Sequence, residues 1–154
     1  MASITIKAPA KINLFLKILN KRKDSYHNIL TLFERISLTD EVQISKIRKG
    51  IEVFSDRFIT RDPRDNLAFK AAQLIMSKKR LKAGVRIFIK KRIPVAAGMG
   101  GGSSDAASAL VGINRLFKLR FGEKELARLA GQLGADCPFF ISNKPFAIGR
   151  SRGD

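Results

Sequence analysis

Fourteen residues, "PVAAGMGGGSSDAA" (Pro94 to Ala107), place four glycines in five positions, Gly98 and Gly100 to Gly102. Glycine lacks the Cβ that blocks positive φ and loses more entropy on ordering, so a run of it marks backbone that must turn sharply or approach something closely. An alternating apolar segment, Val85 to Lys90, precedes it, and Ser103 to Phe117 follows with no charge between Asp105 and Arg115. Strand, glycine loop and buried helix, in that order, make a phosphate cradle. Backbone N–H groups come close to the anion, and the helix N-terminus adds about half a positive charge. Ser103 and Ser104 stand where helix-start hydroxyls reach a phosphate oxygen or, at Ser104, a Mg2+ ion. The alternative is a tight strand–helix turn, for which one or two glycines suffice. Two cradles are excluded by spacing. A Walker A loop puts Lys directly after its last Gly, where this chain has Ser103. A dinucleotide fingerprint counted from Gly98 also needs glycine at position 103.

Other residues could do chemistry beside such a loop. Lys11 lies in an apolar strand-like segment, where an unpaired ammonium is costly. Asn13, two residues on, shares its strand face; the plainer reading is an edge lysine reaching solvent. Asp136, in a turn after Gly134, reads equally as a cap or as a carboxylate that accepts or orients a hydroxyl proton. Tyr26 and His27 in the polar stretch "NKRKDSYHN" offer an aromatic face and a hydrogen-bonding ring, or merely an exposed turn. Cys137 reads as a small buried filler rather than a nucleophile. One Cys and one His exclude a disulfide framework and a His/Cys zinc site, and fit a reducing, cytoplasmic setting.

The elements that must hold these residues read as α+β in one domain of 154 residues, 45% apolar and 28% charged. Ser3 to Leu19 is a strand interrupted at Pro9, with Ile12, Leu14, Leu16 and Ile18 alternating, and a hairpin turn follows. Ile29 to Ile47 holds one or two strands, split near Thr39-Asp40, and Ile51 to Phe54 adds a short one. Asp65 caps a helix through Leu67, Ala71, Leu74 and Ile75. The Val85 strand runs to Pro94, and Glu123 to Leu133 is a helix closed by Gly134. Phe139 to Ile141 and Phe146 to Ile148 are short strands. No secretory pattern opens the chain, and the uncharged Pro94 to Ser104 is too short and glycine-rich to cross a bilayer, so no membrane is expected.

The charge is one-sided: 30 Lys and Arg against 13 Asp and Glu, a formal +17. Asn66 to Ser104 has no acidic residue and nine basic ones, including Lys78-Lys79-Arg80 and Lys90-Lys91-Arg92. Such a field favours nucleic acid, acidic membrane or phosphorylated small molecules; a solvated basic face is the bland alternative. Against nucleic acid stand the aromatics, mostly Phe at core-like positions, with no evident stacking platform.

"PVAAGMGGGSSDAA" resembles the second motif of the GHMP kinases, small-molecule kinases named for galactose, homoserine, mevalonate and phosphomevalonate. "APAKINLFL" (Ala8 to Leu16) and "LGADCPFF" (Leu133 to Phe140) resemble two further motifs of certain members. These phosphorylate a hydroxyl of a cytidine-diphosphate-linked methylerythritol in the non-mevalonate route to isoprenoids, and "DSYHNILTLF" (Asp24 to Phe33) is similar to their base-binding segment. The resemblance implies a mixed sheet packed against helices, related to a ribosomal-protein domain. It implies ATP, with Mg2+, over Pro94, Val95, Ala96, Ala97, Gly98, Met99, Gly100, Gly101, Gly102, Ser103 and Ser104, with Asn66, Leu67 and Lys91 on the adenine and ribose side. Lys11 and Asp136 become catalytic, and Asn13, Tyr26 and His27 hold the acceptor. The chain departs from the pattern at Ser25 and Ser151, both expected as Gly. The family's C-terminal domain, which closes the site, has no counterpart before Asp154, so residues 1–154 are expected to be an N-terminal domain, poorly active alone and prone to self-association. An RNA-binding module on the same fold, or a non-catalytic remnant, stays open as the alternative.

Overall fold

Residues 2–21 and 27–152 are described by a computed structural model of the chain. Two long strands, β1 (Ser3–Lys21) and β2 (His27–Ile47), are followed by β3 (Ile51–Ser55), a 3-10 turn at Pro63–Asp65 and helix α1 (Leu67–Lys78). Then come β4 (Gly84–Lys90), α2 (Gly101–Leu116), α3 (Glu123–Ala130), α4 (Cys137–Ile141) and β5 (Phe146–Arg152). The sheet order is β1-β2-β4-β3, with β5 also on β2, and only β3–β4 is parallel. This is the expected α+β class with a mixed sheet.

One edge of β2 pairs with β1 along its length. The other edge is divided, residues 41–47 pairing with β4 and residues 28–34 with β5. The stretch between, 35–40, has no strand neighbour on that side, and there the loop after β4 comes in. Opposite it the β1–β2 register slips: Pro9 faces Thr39, but Lys11 faces Arg35. Proline has no N–H for the ladder, and bulges of this kind re-aim side chains beside functional sites. The Lys11 N–H leaves the ladder and donates to the Met99 carbonyl at 3.0 Å.

Strand alternation places Val42, Ile44, Val85, Ile87 and Ile89 in the core, with Arg86, Phe88 and Lys90 outward. Against that face pack the small residues of α1 (Ala68, Ala71, Ala72) and α2 (Ala106, Ala109), together with Ile75, Leu110 and Ile113. The expected buried helix after the glycine loop is thus present. The apolar set on β1 is different, because Leu14, Phe15, Leu16, Ile18 and Leu19 are all about half exposed or more.

Several boundaries differ from the sequence reading. β2 is unbroken at Thr39-Asp40, because Asp40 is buried and its carboxylate is satisfied internally. Asn66, not Asp65, caps α1, its Oδ1 accepting from Ala68 N at 2.8 Å. β4 stops at Lys90 rather than Pro94, and α2 starts at Gly101, ahead of Ser103. α3 ends at Ala130 with Gly131, not Gly134, as its cap. Residues 139–141 are helical rather than extended, since Pro138 in the first turn fixes a helical φ and lacks only an N–H that has no partner there.

Gly112 sets the distance between α2 and the sheet: a Cβ there would lie 2.1 Å from Ile44 Cδ1 and 3.2 Å from Ile6 Cδ1. Overfilling a packed core typically costs about 1–3 kcal/mol. Gly112→Ala should therefore lower the urea midpoint despite alanine's helix propensity. Ile44→Val, which deletes the offending Cδ1, should recover part of that loss in the double variant. Strict additivity in the cycle would place the constraint elsewhere.

Candidate active site

The glycine loop enters the gap beside β2 through a buried ion triad. Lys91 Nζ lies 2.5 Å from Asp40 Oδ2 and 2.8 Å from Asp105 Oδ2, and all three side chains are almost fully buried. Asp40 Oδ1 also accepts from Arg92 N and Ile93 N at 2.5 and 2.8 Å. One carboxylate thus turns the chain after β4, and the other ties the N-terminal part of α2 to the same lysine. Two acids around one base leave an excess negative charge in a dry place. Burial pushes the Asp105 carboxyl up to about 7 against the opposing pull of Lys91. Burial works against the Lys91 ammonium, but Asp105 and Asp40 hold it above the usual lysine value.

Beyond the triad the backbone leaves ordinary φ space at Ala96 (+60°), Gly98 (+71°) and Gly100 (+68°), and Gly100 is the cap residue of α2. The loop curls around a cavity of about 300 Å³. Every residue from Pro94 to Ser103 lines it, as do Asn66, Leu67 and Lys91, so the set read from the sequence for ATP converges on one place. Ser104 is the exception. It is fully buried, does not line the cavity, and its hydroxyl has no partner among the described residues. The magnesium contact expected of that hydroxyl does not fit its position, nor do the described residues hold a cluster of three His, Cys, Asp or Glu for a metal. Lys91 lines the cavity with its charge already engaged by Asp40 and Asp105. Ile59, Thr60, Asp65 and Asp105 line the cavity as well, and no motif in the sequence pointed to the first three.

Lys11 stands on the other side of the loop. A Cβ on Gly100 would lie 3.1 Å from Lys11 Cγ and 2.9 Å from Phe140 Cζ, so the loop and this lysine touch. The Lys11 ammonium donates to Asn13 Oδ1 at 2.6 Å, lies 3.5 Å from Asp136 Oδ2 and sits 5.0 Å from the Phe33 ring centroid. Asn13 donates in turn to Thr31 Oγ1 at 2.6 Å. The expected shared face of Lys11 and Asn13 is present, and the lysine does not reach out to solvent. Asp136 occupies the cap position of α4 but makes no capping hydrogen bond, so its partly exposed carboxylate remains available to the site. Arg35, absent from the sequence reading, holds α4 from its far end by donating from Nη2 to the carbonyls of Phe139 and Ser142. Cys137 is buried, and burial raises its thiol, which suits a filler. Tyr26 lies outside the described residues. His27 is the first residue of β2, paired in register with Lys21.

The triad has a pH signature. Asp105 holds its proton up to about pH 7 in the folded chain, whereas an unfolded aspartate releases it near 3.9. The folded state therefore binds more protons between those values, and stability falls as pH rises from about 4 to about 7 and levels above. Asp105→Asn should remove a slope of up to about 1.4 kcal/mol per pH unit from that window, whatever its effect on absolute stability. Urea titrations of both proteins across pH 5 to 8 would check it, with parallel profiles as the contrary result.

The profile of the GHMP kinases N terminal domain matches residues 66–144, just over half the chain. The 4-diphosphocytidyl-2-C-methyl-D-erythritol kinase of Acetivibrio thermocellus is 48% identical over 141 residues, covering 92% of this chain and 50% of that protein. The enzyme of the same name from Syntrophus aciditrophicus is 42% identical over 142 residues, covering 92% and 51%. The chain thus spans about half the length of the curated relatives it matches. A crystal structure of 4-(cytidine 5'-diphospho)-2C-methyl-D-erythritol kinase superposes with a TM-score of 0.83 at 38% identity, over 96% of this chain and 52% of that one. A mevalonate kinase structure shares the fold at a TM-score of 0.72 with 14% identity. Glycine loop, α2 and Asp136 all fall inside the matched segment, and the chain belongs to the GHMP kinases, of which it carries the N-terminal domain.

Proposed function

We propose that this chain is the nucleotide-binding part of an ATP-dependent kinase that phosphorylates a hydroxyl of 4-(cytidine 5'-diphospho)-2-C-methyl-D-erythritol. The observation that carries this reading is the meeting of the Lys11–Asp136 pair, at 3.5 Å, with the glycine loop across the Lys11–Gly100 contact. Donor and acceptor groups belong on the two sides of such a contact. ATP phosphates sit against the loop backbone and the N-terminus of α2, where unpaired N–H groups favour anions. Asn66 and Leu67 flank the adenine and ribose. The acceptor hydroxyl lies at Asp136, with Asn13, Tyr26 and His27 toward its cytosine.

Phosphoryl transfer is mostly positioning and charge stabilisation. The acceptor oxygen forms its bond to the γ-phosphorus as the bond to the β,γ-bridging oxygen breaks and ADP leaves. Asp136 orients the hydroxyl and takes its proton. Lys11, fixed by Asn13 and the Phe33 ring, offsets the negative charge that gathers on the reacting oxygens. Its strand-borne position matters, since a loop lysine would pay more entropy to hold that geometry. The named relatives, the identity at 42–48% and the convergence of the loop residues on one cavity support the reading. Leu16, paired with Thr31 on the face that carries Asn13 and Phe33, is more than half exposed, so we read the acceptor side as covered by further protein.

Gly102 separates the cradle from the fold. A Cβ there meets only Leu67 Cδ1, at 3.7 Å, and its φ is ordinary. Gly102→Ala should keep or slightly raise thermal stability while weakening a non-hydrolysable ATP analogue by roughly tenfold or more in calorimetry, since one methyl stands in the cradle. Unchanged affinity would remove the phosphate role of the loop.

Chemistry is tested in a version extended by the remaining half of the Acetivibrio thermocellus relative. Asp136→Asn should leave ATP affinity near normal and cut kcat by about 10²- to 10⁴-fold. The double variant with Lys11→Ala should lose less than the product of the single losses, as groups acting as a unit do. A coupled ADP-release assay should also favour the cytidine diphosphate acceptor over its uridine counterpart. An Asp136→Asn enzyme at normal speed would reject the assignment.

A further inference from the structure

Ten of the 17 residues in three separate tracts are lysine or arginine, and none is acidic: 46–50 (KIRKG), 77–82 (SKKRLK) and 115–120 (RLFKLR). The tracts end β2, α1 and α2 respectively, and the fold gathers them. Residues 46–50 and 77–82 face each other across a cavity of about 520 Å³ lined by Lys49, Gly50, Arg80 and Lys82, with no acidic residue in its wall. Lys46 lies 4.8 Å from the Phe117 ring centroid, and Lys79 lies 4.4 Å from that of Phe121, the residue just after the third tract, so the third tract lies beside the other two. The 16 residues of α2 put this end about 24 Å from the glycine loop.

Like charges repel, and a cluster of this density costs stability unless something anionic offsets it. Among the described residues no carboxylate pairs with any of the ten. The acids that follow the first and third tracts in sequence are Glu52, engaged by Arg86 at 2.7 Å, and Glu123 and Glu125 at the start of α3. Of the apolar residues of the tracts, Leu81, Leu116, Phe117 and Leu119 pack inward on the core, and Ile47 is half-buried. Cations therefore face out with no exposed apolar side chain between them. The large exposed apolar residues lie on β1, β3, β5 and other segments. A membrane surface held this way would have nothing to insert. The two rings here, Phe117 and Phe121, are half-buried and already faced by Lys46 and Lys79 rather than offered to bases, and a phosphate backbone needs neither insertion nor stacking.

We propose that this end of the domain binds the phosphodiester backbone of nucleic acid, without regard to base sequence and separately from the glycine-loop cavity. The shallow basic cavity takes phosphates at Lys49, Arg80 and Lys82, and the tracts on either side extend the track.

Fluorescence anisotropy with labelled RNA duplex, DNA duplex and single-stranded RNA tests the surface and tells which backbone it prefers. Affinity should fall steeply from about 50 to about 200 mM salt, with a log–log slope steeper than about −3. Lys49→Glu/Arg80→Glu/Lys82→Glu should weaken binding about tenfold or more and flatten the slope by about 2–3, roughly one per lost phosphate contact. The matching Gln set should do the same in smaller measure. A control with the same charge change, Arg57→Glu/Arg61→Glu/Lys90→Glu, should lose much less, and saturating ATP should not displace the duplex. Equal losses in the control would show net charge alone at work and overturn the site. So would displacement by ATP, no salt-dependent binding of any of the three probes, or binding to phosphatidylserine vesicles in place of nucleic acid.

Discussion

The contact of Lys91 with Asp40 and Asp105 is the one on which the rest of the site hangs. It joins β2, the end of β4 and the N-terminal part of α2 at a single buried ammonium. Removing one partner of a buried ionic group leaves an uncompensated charge, which typically costs about 3–5 kcal/mol. That penalty is local to the place where the sheet gives way to the glycine loop. The loop itself has few side chains to anchor it and uses positive φ at Ala96, a non-glycine, as well as at two glycines. Such a segment keeps one conformation only when its two ends are fixed. The triad fixes both.

The second constraint is the bulge opposite Arg35. The register slip of two residues between Pro9 and Lys11 costs sheet hydrogen bonding, but the Lys11 N–H is recovered by Met99. The side chain that follows is set against Gly100, Phe33 and Asp136 instead of into solvent. A glycine is required where the two halves touch, because a Cβ at position 100 would strike Phe140 and Lys11. The cavity and the Lys11–Asp136 pair are therefore parts of one packed unit, and the loop cannot move without moving the lysine. Arg35 closes the arrangement from the far end of α4 through two carbonyls.

Charge is distributed with the same polarity as the elements. At the loop end, Lys91 is neutralised by two carboxylates and Lys11 is held against Asp136. At the other end it is left exposed in bulk. A formal charge of +17 therefore does not describe the site at all. Most of the surplus cannot be assigned to phosphate binding at the glycine loop, whose cavity has Lys91 as its one basic lining residue among the described residues.

The glycine loop was legible in the amino-acid sequence because its signal is local: bare backbone between an alternating strand and an uncharged helix needs no distant residue to be recognised. The half-buried β4, the buried α2, the α+β class and the shared face of Lys11 and Asn13 were legible for the same reason, since period and composition are properties of a short window. Boundaries failed where a tertiary partner decided them. β2 runs through Asp40 because a lysine 51 residues away satisfies it, and residues 139–141 coil into a helix because Pro138 and Arg35 outweigh their apolar, strand-like run. Asp105 lies within the glycine-loop motif and Lys91 just before it, but neither residue carries in the sequence any sign of the other. Ser104 was placed in the cradle by spacing and turned inward by the helix's rotation. The three basic tracts, unremarkable singly, met only on folding. Sequence determines which segments are strand, loop or helix through local sterics and periodicity. Burial decides which charges pair, since removing water makes an unpaired ion costly only once the chain has closed around it.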